Sequence, residues 1–407
     1  MLPDRIEVLV VGAGVIGLTV ARELALRGRE VLVVDKEPEL GAHASGRNSG
    51  VLHAGIYYAP DSVKAKTCLA GNRLMKAFCR EQGLPLVESG KVIVARDASE
   101  LPTLDELHRR AVANGARVRF VDEAELAELE PLARTTGKAL HSLDTAVVEP
   151  KKVLRALAAD LTAHGGQVRL GVRFLGLEGA DAVRTTEGVI RFRRLVNAAG
   201  AFCDRVARPF GVGARYRLIP FKGLYRKLAP GATFDVRGNV YPVPDPRNPF
   251  LGVHFTRHAS GDLYLGPTAI PALGRENYGL LAGAGVEAFG ILGRDAAMFL
   301  SNPLFRTVAL EEPKKYVPAF FHRDAARLVK RYDPALFGSA PKVGIRAQLV
   351  DWKTKQLVMD FLVEAKDATV HVLNPVSPAF TASMELARRL ADEHFGSAAP
   401  PSVARGS

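Results

Sequence analysis

Apolar residues run together at Val8-Leu9-Val10-Val11 and again at Val31 to Val34, with a helix-like segment from Leu18 to Arg27 between them. Short continuous apolar runs of this kind read as strands buried on both faces. Further along, Ser62 to Gln82 predicts a helix entered at Pro60-Asp61, and Gly90 to Ala95 predicts a strand. Leu101 to Asn114 is a helix that Gly115 breaks, and Asp122 to Glu130 is one that Asp122 caps and Pro131 stops. Pro150 to His164 predicts a helix, followed by a strand at Val168 to Leu170. A short strand at Arg194 to Asn197 runs into a small-residue turn, Ala198-Ala199-Gly200-Ala201.

From Tyr216 the pattern shifts to short extended pieces bounded by Gly and Pro, around Tyr241, Phe255 and Tyr264, which predict an antiparallel sheet. A helical stretch follows from about Asn277 to Tyr332. The segment at 343–348 then leads back to the first domain, and a last helix covers Ala382 to Phe395. The whole reads as an α/β protein: a Rossmann-like domain with a second α+β domain on an antiparallel sheet. The expected partition is 1–85, 145–215 and 340–395 for the nucleotide domain, 86–144 and 216–339 for the substrate domain, and a disordered tail at 396–407.

The first two strands bracket Gly12-Ala-Gly14-Val-Ile-Gly17 and end in Asp35, the dinucleotide fingerprint in its required setting. Gly12 serves the turn, Gly14 lets a pyrophosphate approach the helix N-terminus, Gly17 allows close helix–sheet packing, and Asp35 can bind a ribose hydroxyl. Lys36 and Val172 join the same set. The next segment, with Ser45, Asn48, Ser49 and Gly50, is a polar, glycine-rich loop where an NAD enzyme would continue with another strand and helix. Such a loop suits a flavin lying across the domain, which makes FAD the expected cofactor. Ala199, Gly200 and Gly344 are further points of backbone approach. Ser377, Pro378 and Ala379 open the last helix, whose N-terminus offers N–H groups to the flavin edge.

The first strand begins by Ile6, which leaves no room for a signal peptide, and a cytoplasmic location is expected. Cys68, Cys79 and Cys203 show no metal-ligand spacing, so buried free thiols and no metal are expected. Net charge is +12, but the basic residues are scattered and no nucleic-acid signature is present. The aromatic and basic segment 303–332 reads as a helical subdomain with a wet basic face, with peripheral contact on the inner face of a membrane as the alternative.

Several segments carry a resemblance: Gly46-Arg-Asn-Ser-Gly-Val-Leu-His-Ala-Gly-Ile-Tyr-Tyr58, Gly90-Lys-Val-Ile-Val-Ala95, Gly238-Asn-Val-Tyr-Pro-Val-Pro-Asp245, Pro249-Phe-Leu-Gly-Val-His-Phe-Thr256 and Gly344-Ile-Arg-Ala-Gln348. The chain resembles the D-amino-acid-oxidase-type FAD oxidoreductases, with their glutathione-reductase-like fold, and within them the L-2-hydroxyglutarate dehydrogenase/oxidase family. It departs from that family at Asn374-Pro-Val-Ser-Pro-Ala379, where Asn-Ala-Pro-Ser-Pro-Ala is usual. It departs again after Gln348, where an acidic, glycine-containing turn is usual.

The resemblance implies oxidation of a dicarboxylic 2-hydroxy acid to its 2-oxo acid, with hydride passing from C2 to flavin N5 and electrons leaving to quinone or oxygen. His254 and His53 are the two candidates for the base that takes the hydroxyl proton. Arg346 suits the C1 carboxylate. Lys222 or Arg257 would hold the second carboxylate, and Tyr57 and Tyr241 would donate phenolic hydrogen bonds. The alternatives are another 2-hydroxy acid, an amino acid or glycerol 3-phosphate as substrate, or a non-catalytic flavin-binding protein. No second nucleotide fingerprint is present, so NAD(P) is not expected as a direct partner.

Overall fold

The computed structural model describes residues 2–245 and 250–396. Its first sheet has eight strands. Arg5–Val11 lies at the centre, parallel to Val31–Asp35 on one side and to Gly188–Asn197 on the other. Gln167–Leu170 extends it beyond Val31–Asp35, and Thr369–Val372 pairs with the end of Gly188–Asn197. Both faces are covered, which explains why the central strands read as unbroken apolar runs. Val8 and Val10 face a core with the helices Val15–Leu26, Pro150–Ala163 and Ala379–Phe395, whereas Leu9 and Val11 face a second core that includes Val183, Ile190 and Phe192.

That second layer is where the sequence reading falls short. Arg194–Asn197 is only the end of a ten-residue strand, Gly188–Asn197, which forms a meander with Phe174–Leu177 and Ala182–Thr185. The exposed Arg191, Arg193 and Arg194 interrupt the apolar pattern and hide the strand's length.

The second sheet has ten strands and takes members from two separate stretches of chain. Lys91–Val94 and its neighbours Val118–Val121 and Ala139–Ser142 join through a parallel pairing with Asn239–Pro242. His254–Arg257 and Leu263–Gly266 follow, then Tyr216–Leu228 and Phe337–Asp351. The last strand corrects an expectation. Residues 340–351 do not return to the nucleotide domain but run antiparallel to Tyr216–Leu228 over its whole length, from Leu228↔Phe337 to Tyr216↔Asp351. Gly338 and Gly344 within this strand mimic turns in the sequence. The return to the first sheet comes only at Val363–Lys366 and Thr369–Val372. The tail expected at 396–407 lies outside the described residues except for Gly396.

The predicted helices hold closely. Ser62 caps Val63–Glu81 by accepting from the Ala65 N–H at 3.1 Å, and Asp122 and Glu125 form a reciprocal capping box at the start of Glu123–Leu129. The three cysteines are free and buried. In the 303–332 segment, Phe305 and Phe321 turn inward rather than onto a surface, at 1% and 2% exposure.

Candidate active site

A cleft of about 300 Å³ opens where the first strand meets its helix. Gly12 sits at φ +110°, and a Cβ there would lie 2.5 Å from the Ala198 carbonyl oxygen. A Cβ on Gly17 would come within 1.8 Å of the Gly12 oxygen, so only glycine lets the helix close on the turn. The Ser45 hydroxyl accepts from the Val15 N–H at 3.0 Å, drawing the second loop over the helix N-terminus. Asp35 accepts from Ala13 N–H at 2.6 Å and from Glu37 N–H at 2.9 Å. Each carboxylate oxygen keeps a further lone pair for a ribose hydroxyl. Val172, Ala199 and Gly200 line the opposite wall. An elongated, glycine-walled cleft ending on a helix N-terminus and an acid fits the ADP half of FAD.

Other predicted cofactor residues shape the loops. Asn48 donates to the carbonyls of Ala44 and Ser45 and accepts from Gly50 N–H at 2.8 Å, so it braces the flavin loop from within. Gly344 lies against the Arg47 carbonyl of that loop, 3.2 Å from where a Cβ would sit. Pro378 and Ala379 are buried at the head of the last helix, while Ser377 is exposed. Ser49 is half-buried beside Gly50. Lys36 lines the cleft with its ammonium already engaged: its Nζ lies 2.5 Å from Glu276 and 3.0 Å from His43, in a cluster with Glu37. Against the upward push of burial, Lys36 and His43 pull the Glu37 carboxyl down to about 2. Arg275, next to Glu276 in the chain, forms a buried pair with Asp204 at 2.5 and 3.0 Å. The sequence reading missed Arg275 and Glu276, because their partners are far apart in the chain and follow no motif.

Beyond the cleft, the second sheet brings His254, Tyr241 and Arg346 toward the loop that carries His53 and Tyr57. The His254 ring stacks on Tyr241 with centroids 3.7 Å apart. Its Nδ1 lies 2.7 Å from the Gly252 carbonyl. A carbonyl only accepts, so Nδ1 carries the proton and neutral His254 presents an unprotonated Nε2. Burial, with the nearby charges of Arg346 and Lys91, pushes His254 down to about 3. Burial, then Lys91 and His254, lowers His53 to about 3 as well. His53 Nδ1 is buried with no protein partner among the described residues, as expected of a group that meets a ligand. Arg346 donates to the Thr268 carbonyl at 3.0 Å and lies over Phe250, and among the described residues it pairs with no carboxylate.

Two predicted anchors do not join this group. Arg257 spends its guanidinium on the carbonyls of Phe234, Val236 and Gly261. Lys222 stands opposite Ile345 whereas Phe221 stands opposite Arg346, so strand alternation sends the two cations to opposite faces. Its Nζ bonds the Gly279 carbonyl at 2.5 Å. Lys91, which the sequence reading did not single out, is at the site instead, 3.0 Å from the Tyr57 hydroxyl.

Residues 7–393 match the model of the FAD dependent oxidoreductase family. The chain belongs to that family. Its cofactor is FAD. The chain is 33% identical to the mitochondrial L-2-hydroxyglutarate dehydrogenase of Homo sapiens, over 95% of this chain and 88% of that protein. It is also 33% identical to the L-2-hydroxyglutarate dehydrogenase of Indibacter alkaliphilus, over 93% and 96%. Among solved structures, the FAD-bound L-alpha-glycerophosphate oxidase of Mycoplasma pneumoniae superposes with a TM-score of 0.76 at 20% identity, covering 96% of this chain and 94% of that one. The glycine oxidase of Geobacillus kaustophilus gives 0.71 at 21%, with coverage of 96% and 94%. At those identities the structural likeness speaks for the fold.

Proposed function

We propose that this oxidoreductase converts L-2-hydroxyglutarate to 2-oxoglutarate. The observation that carries this is end-to-end similarity to L-2-hydroxyglutarate dehydrogenases from an animal and a bacterium. FAD, when bound, supplies the acceptor for the hydride that leaves C2. Arg346 grips the C1 carboxylate through two parallel hydrogen bonds, which turns C2 toward the cofactor. His254 Nε2 takes the hydroxyl proton as the C2–H bond breaks and the carbonyl forms. The Nδ1–Gly252 bond keeps that nitrogen bare, and the Tyr241 stack fixes the ring. His53 and Tyr57 close the other side and hold the hydroxyl oxygen.

The test is anaerobic bleaching of the flavin absorbance by L-2-hydroxyglutarate beside the D-isomer, L-lactate, sarcosine and glycerol 3-phosphate. Bleaching by the L-diacid alone is expected. Bleaching by another compound instead would keep the fold and overturn the substrate, and no bleaching by any would favour a flavoprotein without this catalysis.

For the electron acceptor, quinone is favoured over oxygen by one feature of the helical segment. Val286, Phe289 and Leu300 are 88%, 79% and 77% exposed, with Leu280 and Leu281 beside them in the chain and Arg306, Lys314 and Arg323 following. Apolar side chains among cations suit the inner face of an anionic membrane. No helix among the described residues is long and apolar enough to cross one. Co-sedimentation with phosphatidylglycerol vesicles, weakened by Phe289→Ser, is expected. A wild-type protein that stays in the supernatant would refute the contact and favour oxygen.

A further inference from the structure

Lys91 opens the strand Lys91–Val94 and is 2% exposed. Its ammonium has three hydrogens to donate and makes one side-chain hydrogen bond, to the Tyr57 hydroxyl at 3.0 Å. It lies over the rings of Tyr57 at 4.5 Å and Tyr241 at 5.0 Å, and no carboxylate pairs with it among the described residues. Two other buried lysines differ, since Lys76 pairs with Glu88 at 2.9 Å and Lys222 bonds a carbonyl, while Lys64 lies over Tyr58 and Phe361 and feels the charge of Asp360. A buried ammonium is costly unless paired, so one left with a single neutral partner is poised for an anion from outside the protein.

Its position fits one anion in particular. Tyr241, under Lys91, is stacked on His254. His254 feels the charges of both Arg346 and Lys91, and His53 feels that of Lys91. The stacked Tyr241–His254 pair is therefore flanked by two cations without carboxylate partners. A five-carbon diacid laid along it can present one carboxylate to each, with its hydroxyl at His254.

We infer that Lys91 is the second carboxylate anchor of this site, holding the C5 carboxylate of a 2-hydroxy diacid while Arg346 holds C1. This rests on the diacid reading above. Lys91 is then the residue that sets specificity: a monoacid satisfies Arg346 but leaves Lys91 buried and unneutralised, a penalty applied only to the wrong ligand.

The test uses the FAD-loaded enzyme and two inert five-carbon acids, glutarate and valerate, titrated by calorimetry and by perturbation of the flavin spectrum. Wild type is expected to prefer glutarate. Lys91→Met is expected to lose about 10- to 100-fold in glutarate affinity, the range of one charge-assisted contact, with valerate unchanged. Lys91→Arg should recover part of the preference. If the Met variant does not fold, wild type still decides. Calorimetry at pH 8 in buffers of different ionisation heat should show proton uptake with glutarate and none with valerate. A retained glutarate preference in Lys91→Met, equal loss of both acids, or no extra proton uptake would each overturn the inference. Wild-type enzyme that prefers glutarate but is not bleached by L-2-hydroxyglutarate would instead mark failure of the substrate reading alone.

Discussion

Replacing Arg346 with Met separates ligand recognition from folding, because the residue does much for one and little for the other. In the free protein its guanidinium has the Thr268 carbonyl and the Phe250 face as partners, and burial already lowers its hold on its proton. No ion pair is lost on substitution. Met fills much of the same volume without the desolvated charge, so stability should stay level or rise slightly. With substrate present, two charge-assisted hydrogen bonds of about 1.5–3 kcal/mol each disappear, for a loss of about 3–6 kcal/mol. At about 1.4 kcal/mol per factor of ten, kcat/KM should fall by about two to four orders of magnitude. Arg346→Lys should fall between, since it keeps the charge but loses the planar fork. Anaerobic stopped-flow reduction by L-2-hydroxyglutarate reads the loss, and FAD content with a melting curve reads the fold. A fall of less than fivefold, or one matched by loss of FAD or of melting temperature, would refute the reasoning.

Gly17→Val should abolish FAD retention, as the new side chain cannot share space with the Gly12 carbonyl; apoprotein from purification, by absorbance at the flavin band, is the expected result. Asp204→Asn leaves Arg275 with Glu287 as its remaining carboxylate partner among the described residues and should cost about 1.5–3 kcal/mol, while the double change with Arg275→Met should cost less than the sum of the two single changes; simple additivity in denaturant titrations would count against a buried ion pair. The pH profile of kcat/KM should show no decline through 6.5, because His254 stays an unprotonated base down to about 3, and should fall as pH rises past about 7, where burial lets Lys91 lose its charge. The groups facing Lys91 do not titrate between: burial raises Tyr57 and Tyr241, pushes Cys68 up to about 12, and holds His53 neutral. An acid limb at 6.5, or a flat profile from 7 to 9, would contradict the assignment.

The nucleotide half was legible because its chemistry is local. Gly12, Gly14, Gly17 and Asp35 lie within one strand–helix–strand unit, and the two strands announce their burial by being apolar throughout. The meander at 174–197 was not legible, since one face of its last strand carries exposed arginines. The strand 337–351 was hidden because 343–348 read as a link back to the first domain until Tyr216–Leu228 supplied its partner. In the candidate site, His254, Tyr241, His53 and Arg346 were singled out by type and motif, and the fold brings them together. Lys222 and Arg257 were chosen on the same grounds, but a cation's worth as an anchor depends on which face of the sheet it leaves and on which acceptors it already has. Neither can be read without the register.

Lys91 shows the same limit from the other side. In the sequence it is the polar first residue of a short apolar strand, where a lysine is ordinarily solvated. What changes its meaning is the parallel pairing of that strand with Asn239–Pro242, which builds it into the second sheet and sets Lys91 beside Tyr57 and Tyr241. An enzyme that meets a dianion needs positive charge at the site but cannot let its own carboxylates neutralise that charge first. Leaving Lys91 and Arg346 desolvated and unpaired makes the free protein less stable than it could be. It also lets the arriving diacid, and no monoacid, recover both costs at once. Saturating glutarate should therefore raise the melting temperature of wild type more than valerate does. In Lys91→Met that difference should vanish, and its persistence would show that the second cation lies elsewhere.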